Sequence, residues 1–202
     1  MPLPDRPIIY VDPFHVSAGC RQFRIIRVML KKYEQFQLRD WQRSDIDALV
    51  KYADNRKIWL NLRDVFPHPY TRKDAEAWLG ITGERYPGTH FAIVIDGEAA
   101  GGISLIPKSD VYHRTAEIGY WLGEPFWGRG IVTTAVKAVT EWGFSTFDLC
   151  RIEAGVFGHN MASMRVLEKA GYVREGVLRK SITKDGTTMD SVLYAKIREQ
   201  ES

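Results

Sequence analysis

Long apolar runs are missing from this chain. No stretch of its 202 residues approaches the roughly 18 consecutive apolar positions that a membrane-spanning helix needs. The N-terminal stretch carries Arg6, Arg21, Arg24 and Arg27 but lacks the continuous apolar core and small-residue cleavage site of a signal peptide. A cytoplasmic location and no membrane partner are therefore expected. Cysteine is scarce. Cys20 and Cys150 stand far apart, without the spacing of a metal-ligand or redox pair, so both read as free thiols, with no disulfide and no metal expected. An excess of one charge is absent too: 28 Lys and Arg against 25 Asp and Glu leave a formal charge of +3. So even a balance argues against a general nucleic-acid surface.

What is present is the composition of a globular protein, 45% hydrophobic and 26% charged, at a length that builds one core without staples. Residues 1–28 have early prolines and no clear period, and read as a weakly structured extension. Residues 29–202, free of internal repeats and linkers, read as a single domain.

The chain is organised around PFWGRGIVTTAVKAVTEWGF, residues 125–144. Gly128 and Gly130 bracket Arg129, and a glycine lets the backbone turn tightly and approach a ligand closely. Ile131, Ala135, Ala138 and Trp142, flanked by Val132, Val136 and Val139, then recur at helical spacing, with Thr133, Thr134, Lys137, Thr140 and Glu141 assigned to the opposite side. The turn is thus a helix N-terminus, whose first amides have no intrahelical acceptors and suit a phosphate. The same Gly-x-Gly is also compatible with simple turn chemistry, since it is neither a dinucleotide fingerprint nor a Walker loop.

In chain order, alternation from Gln35 to Asp40 predicts a strand, Ser44 an N-cap for the helix that follows, and Asn55 to Leu62 a second short helix. RDVFPHPY, 63–70, reads as a loop because its prolines forbid regular pairing. Thr71 caps a third helix. Asp96-Gly97 joins two strands in a hairpin with a primed turn. TAEIGYWL (115–122) and RIEAGV (151–156) are strands on either side of the central helix. A helix from Asn160 to Lys169 ends at Ala170-Gly171, and two strands about Lys184-Asp185-Gly186 complete the chain.

This order of elements, the W-G-R-G turn, the preceding A-E-I-G-Y-W, and N-M-A-S-M-R-V-L-E-K-A-G-Y followed by E-G-V-L-R together closely resemble the GNAT superfamily of N-acetyltransferases. Within it they resemble the RimJ- and RimL-like subgroup, which acetylates ribosomal-protein N-termini. The resemblance runs from about Leu38 to the C-terminus. It implies an α+β fold, with a mostly antiparallel twisted sheet of about seven strands and helices on both faces. It also implies acetyl-CoA as cosubstrate, a protein N-terminus or small amine as acceptor, and a monomer or homodimer.

Residue by residue, the resemblance sets the pyrophosphate on the turn Trp127, Gly128, Arg129, Gly130, Ile131, Val132 and Thr133, and pairs the pantetheine arm with the backbone of Ile118, Tyr120 and Leu122. Gly119 would permit close approach. Pro125 and Thr134 replace residues frequent elsewhere in the superfamily. The position of its usual acid, a tyrosine seven residues after the motif asparagine, holds Leu167. Ser163 matches the serine given that role in the subgroup, and on one helix face with Asn160 it either serves the leaving sulfur or bonds pantetheine. Asn160 reads as a cap and cofactor-orienting residue. Glu117 is the candidate base, or else a structural or substrate-orienting acid. Phe66, His68 and Tyr70 are candidates for the acceptor site on the 63–70 loop, which suits either a walled groove or a packed loop. His90 and His159 read as core or loop residues. The alternatives are acetylation of an amino acid, polyamine or aminoglycoside, and a non-catalytic acyl-CoA-binding module.

Overall fold

A computed structural model describes residues 31–84 and 88–199. The expected extension over 1–28 and Cys20 lie outside the described residues. Within them, one sheet runs in the order β1-β2-β3-β4-β5-β6-β8-β7. β1 (Lys31–Lys32) is a two-residue addition to the seven strands read from the sequence. Those are β2 (Gln37–Asp40), β3 (His90–Ile95), β4 (Glu98–Pro107), β5 (Thr115–Leu122), β6 (Arg151–Phe157), β7 (Val173–Lys184) and β8 (Thr187–Ile197). Every pairing is antiparallel except β5 with β6. The two tight hairpins turn on Asp96-Gly97 and Asp185-Gly186, each with both residues at positive φ, the geometry of a primed turn whose twist matches the strands it joins.

β3 is buried at all six positions. Its apolar run HFAIVI follows from cover on both faces, where an alternating pattern would mark a strand open to water on one side. Phe91, Ile93 and Ile95 join the main core, against Ala135, Val136, Val139 and Trp142 of α4 (Ile131–Thr146). Ala92 and Val94 face the other way, with Trp41 and with Ala48 of α1 (Ile46–Ala53). Trp142 stands edge-on to Phe91 and to Phe147, with centroids 5.1 Å and 5.3 Å away, the arrangement the ring quadrupoles favour.

The helix ends show which local signals hold. Asn55 caps α2 (Arg56–Trp59) through the amide of Lys57, 2.8 Å away. Thr71 opens α3 (Arg72–Glu84), the Asp74 carboxylate accepting from its amide at 2.8 Å. Asn160 opens α5 (Met161–Lys169), and Gly171, with φ 85°, follows its end. Two expectations are corrected. Ser44 is not an N-cap: Arg43–Asp45 forms a 3-10 turn, and the Asp45 carboxylate, which accepts from Arg39 twice at 2.7 Å and from the Gln42 amide at 2.8 Å, organises that end. A buried carboxylate with charge-assisted donors outweighs a serine hydroxyl. Thr140 is not on the solvent side of α4; it is 1% exposed, its hydroxyl 2.7 Å from the Tyr172 hydroxyl, and that hydrogen bond is what lets a polar side chain enter the core.

Candidate active site

The candidate site grows from the parallel pairing of β5 with β6. β5 meets β6 only from Thr115↔Arg151 to Glu117↔Glu153. β6 then continues on β8 to Phe157↔Ser191, while β5 continues on β4 to Leu122. The strands part after Glu117, so among the described residues 118–122 of β5 have no strand partner on that side. Each strand carries a glycine two residues past the last pair, Gly119 and Gly155. A glycine inside a strand leaves room for another backbone to approach. Gly155 escaped the sequence reading because its meaning depends on where the pairing stops.

The gap leads into the glycine turn. From Leu122 the chain passes through a 3-10 turn, Glu124–Phe126, and the Trp127 indole donates back to the Leu122 carbonyl at 2.7 Å. Gly128 and Gly130 have φ of 77° and 76°, a left-handed backbone that only glycine adopts freely. The first bond of α4 runs from the Thr134 amide to the Gly130 carbonyl at 3.1 Å. The amides of Ile131, Val132 and Thr133 therefore have no intrahelical acceptor, and the positive end of the helix dipole lies there. Arg129 is folded back, its guanidinium donating to the Pro125 carbonyl at 3.0 Å and lying over Phe126. The side chains of Ile118, Leu122 and Ile131 are core, so only their backbones are available to a ligand.

On the opposite wall stands the start of α5. Asn160 Oδ1 accepts from the Ser163 amide at 3.0 Å. Ser163 Oγ lies 2.8 Å from the hydroxyl of Tyr120, which reaches across from β5. Burial pushes the Tyr120 phenol up to about 12. Leu167 is fully buried and packs the core.

Glu117, at the parting point, is ion-paired with Arg63 of the 63–70 loop. That loop reaches β5 again through Phe66, edge-on to Trp121 at 5.9 Å. Tyr70 is 4% exposed in the helical core with Leu49, Ala53 and Ala75; its ring is a packing element rather than a groove wall. His68 stands over Trp59 at 5.5 Å, 3.4 Å from Asp54. Arg63 was not singled out in the sequence, and no local pattern marks it; its partner is 54 residues away. Elsewhere, Cys150 is a free thiol, His90 is core, and exposed His159 lies 3.1 Å from the Met189 sulfur. Among the described residues no group of three or more His, Cys, Asp and Glu could hold a metal, and no helix is long and apolar enough to cross a membrane.

Comparison with known proteins adds the chemistry. The acetyltransferase (GNAT) domain model matches residues 35–173. A probable N-acetyltransferase of Bacillus subtilis, YjcK, is 42% identical over 108 residues, 52% of this chain and 60% of that relative's own length. The ribosomal-protein-serine acetyltransferase of Escherichia coli is 27% identical over 173 residues, covering 83% of this chain and 96% of its own. Among solved structures, RimJ of Mycobacterium smegmatis in complex with CoA-disulfide superimposes with a TM-score of 0.71 at 27% identity, covering 80% of this chain and 81% of that one.

Proposed function

The chain belongs to the GNAT acetyltransferase family, and from that premise we propose that it carries acetyl from acetyl-CoA to a primary amine, the favoured acceptor being a protein N-terminal α-amine. The observation that carries this reading is the parting of β5 and β6 directly in front of the glycine turn. An unpaired strand edge offers a row of N–H and C=O groups to an extended chain bearing amides. The turn beyond it offers three amides and a helix dipole to a pyrophosphate. Both fit the two halves of a CoA molecule in their natural order, with the pantetheine arm along 118–122 and the pyrophosphate at 128–133.

In that arrangement the acyl end lies where the strands part, between Glu117 and Ser163. Acetyl-CoA supplies the activated carbonyl. The acceptor nitrogen attacks its carbon, the C–N bond forms and the C–S bond breaks, and the sulfur leaves with the bonding electron pair. The amine's proton passes to Glu117, directly or through water, and the Ser163 hydroxyl donates to the departing sulfur. Glu117 is held by Arg63 and Ser163 by Asn160, so both groups are oriented from outside the gap. An α-amine, with an ordinary pKa of about 7.7–8.0 against about 10.4 for lysine, is far more neutral at physiological pH and asks less of the base. The match to the Escherichia coli relative supports the peptide acceptor.

The test is the purified protein with acetyl-CoA, a thiol-reporting reagent, and a panel of N-terminal peptides, amino acids, polyamines and aminoglycosides. Thiol release with peptides that have a free terminus, lost on blocking that terminus, is expected. Turnover of a small amine with every peptide inert overturns the acceptor. CoA binding without thiol release on any amine makes the chain a non-catalytic binding module.

A further inference from the structure

Tyr120 was singled out for its backbone, yet its side chain leaves the free edge of β5 and crosses the gap to α5. Its hydroxyl lies 2.8 Å from Ser163 Oγ and 3.3 Å from the Ser163 carbonyl. Ser163 is thereby held at two points, since its amide is taken by Asn160 at 3.0 Å. The neighbouring phenol of Tyr172 is committed to Thr140 at 2.7 Å. Tyr120 is thus the hydroxyl that reaches the candidate serine.

Each hydroxyl has one proton to donate, so the pair has two arrangements. In the first, Ser163 donates to Tyr120 and Tyr120 donates to the Ser163 carbonyl, which satisfies both donors inside the protein. In the second, Tyr120 donates to Ser163 Oγ, and the serine proton is turned outward. Only the second serves an anion in the gap, and negative charge developing there draws the serine proton toward it. Hydrogen bonds in such a chain strengthen one another. Burial keeps the phenol protonated throughout the neutral range, so Tyr120 remains available as the donor.

We propose that Tyr120 is a positioning residue for Ser163, its hydroxyl backing Ser163 Oγ so that the serine O–H points at the departing sulfur. This rests on the reading of Ser163 as the group that serves the leaving sulfur. No proton leaves Tyr120; the sulfur departs with its electron pair and is met by the Ser163 O–H.

The experiment is steady-state kinetics of the full chain and of Tyr120→Phe, Ser163→Ala and the double variant, with acetyl-CoA and the best acceptor of the panel. CoA titration calorimetry and thermal melting confirm that each variant is folded. Tyr120→Phe is expected to lower kcat by about tenfold with KM for acetyl-CoA within twofold, and to cause no further loss in the Ser163→Ala background. A purely packing role would lower kcat equally in both backgrounds. Unchanged kcat in Tyr120→Phe, a loss confined to KM, or losses that multiply in the double variant overturn the proposal while leaving Ser163 in place. Full kcat in Ser163→Ala overturns the reading of Ser163 and this proposal with it.

Discussion

Lys184 Nζ lies 2.6 Å from Asp64 Oδ1, and the two side chains occupy opposite environments, 1% exposed for the lysine and 75% for the aspartate. The ammonium also sits 3.8 Å from the centre of the Trp59 ring. Beside it, Arg56 reaches Asp185 at 2.6 Å. The tip of the last hairpin is thereby tied to the segment that carries Arg63, the partner of Glu117. A fully desolvated ammonium needs such partners because burial without them disfavours the charge strongly.

Asp64→Ala leaves Lys184 with the Trp59 face as its main compensation. The expected cost is about 1–3 kcal/mol in urea unfolding, the range for a buried polar group stripped of its partner. Lys184→Met removes the charge at similar volume and is expected to cost less than Asp64→Ala, since replacing a buried ion pair by apolar packing is frequently neutral. A larger loss in Lys184→Met would show that the ion pair itself stabilises the fold.

Gly128→Val tests the turn. The Cβ would meet no atom within 4 Å, so no clash with the protein is built in, but φ is 77°. A β-branched residue resists that backbone, and its branches would stand before the amides of 131–133. CoA affinity is expected to fall at least tenfold, about 1.4 kcal/mol, with the variant still folded. Calorimetry showing unchanged affinity would make the turn purely structural.

Glu117→Gln keeps the shape of the side chain and removes its basicity. The expected outcome is a kcat lower by on the order of 100-fold and a pH–rate profile without its acidic limb. Retention of that limb removes Glu117 as the base. Arg63→Gln frees the carboxylate of its partner, and its effect should fall on the acceptor's KM rather than on that of acetyl-CoA.

His90 predicts an acid sensitivity. Its ring is buried edge-on to Trp78, and burial lowers its pKa from 6.5 to about 4. The folded protein therefore keeps it neutral where the unfolded chain binds a proton. Between pH 6.5 and 4 the unfolded state carries the extra proton, so stability falls as pH falls, by up to about 1.4 kcal/mol per unit. Above pH 6.5 the term is fully present and flat. Denaturant titrations across this window should show a shallower acid loss in His90→Asn than in the parent; parallel curves would assign the acid sensitivity elsewhere.

The local architecture was readable along the chain. The seven principal strands, the primed turn at Asp96-Gly97, the connection at Asp185-Gly186, the caps at Thr71 and Asn160, and the tight glycine turn before α4 were all legible. Each is decided by residues within a few positions of one another, through alternation, hydrogen bonding to a nearby amide, or tolerance of positive φ. Ser44 and Thr140 misled for a related reason. The cap at the first was taken over by a carboxylate that Arg39 holds from six residues away, and the burial of the second depends on a hydroxyl 32 residues on.

The candidate site was decided by tertiary structure. Nothing in TAEIGYWL marks Glu117 as its last residue paired with β6, because that depends on β6 staying with β8 while β5 stays with β4. The Arg63–Glu117, Tyr120–Ser163 and Lys184–Asp64 pairs join positions 54, 43 and 120 residues apart. Sequence patterns fix what a short segment prefers, through the backbone and its nearest neighbours. Which free edge, which hydroxyl and which charge face one another across a gap depends on the packing of whole layers, and that is settled only when the core closes.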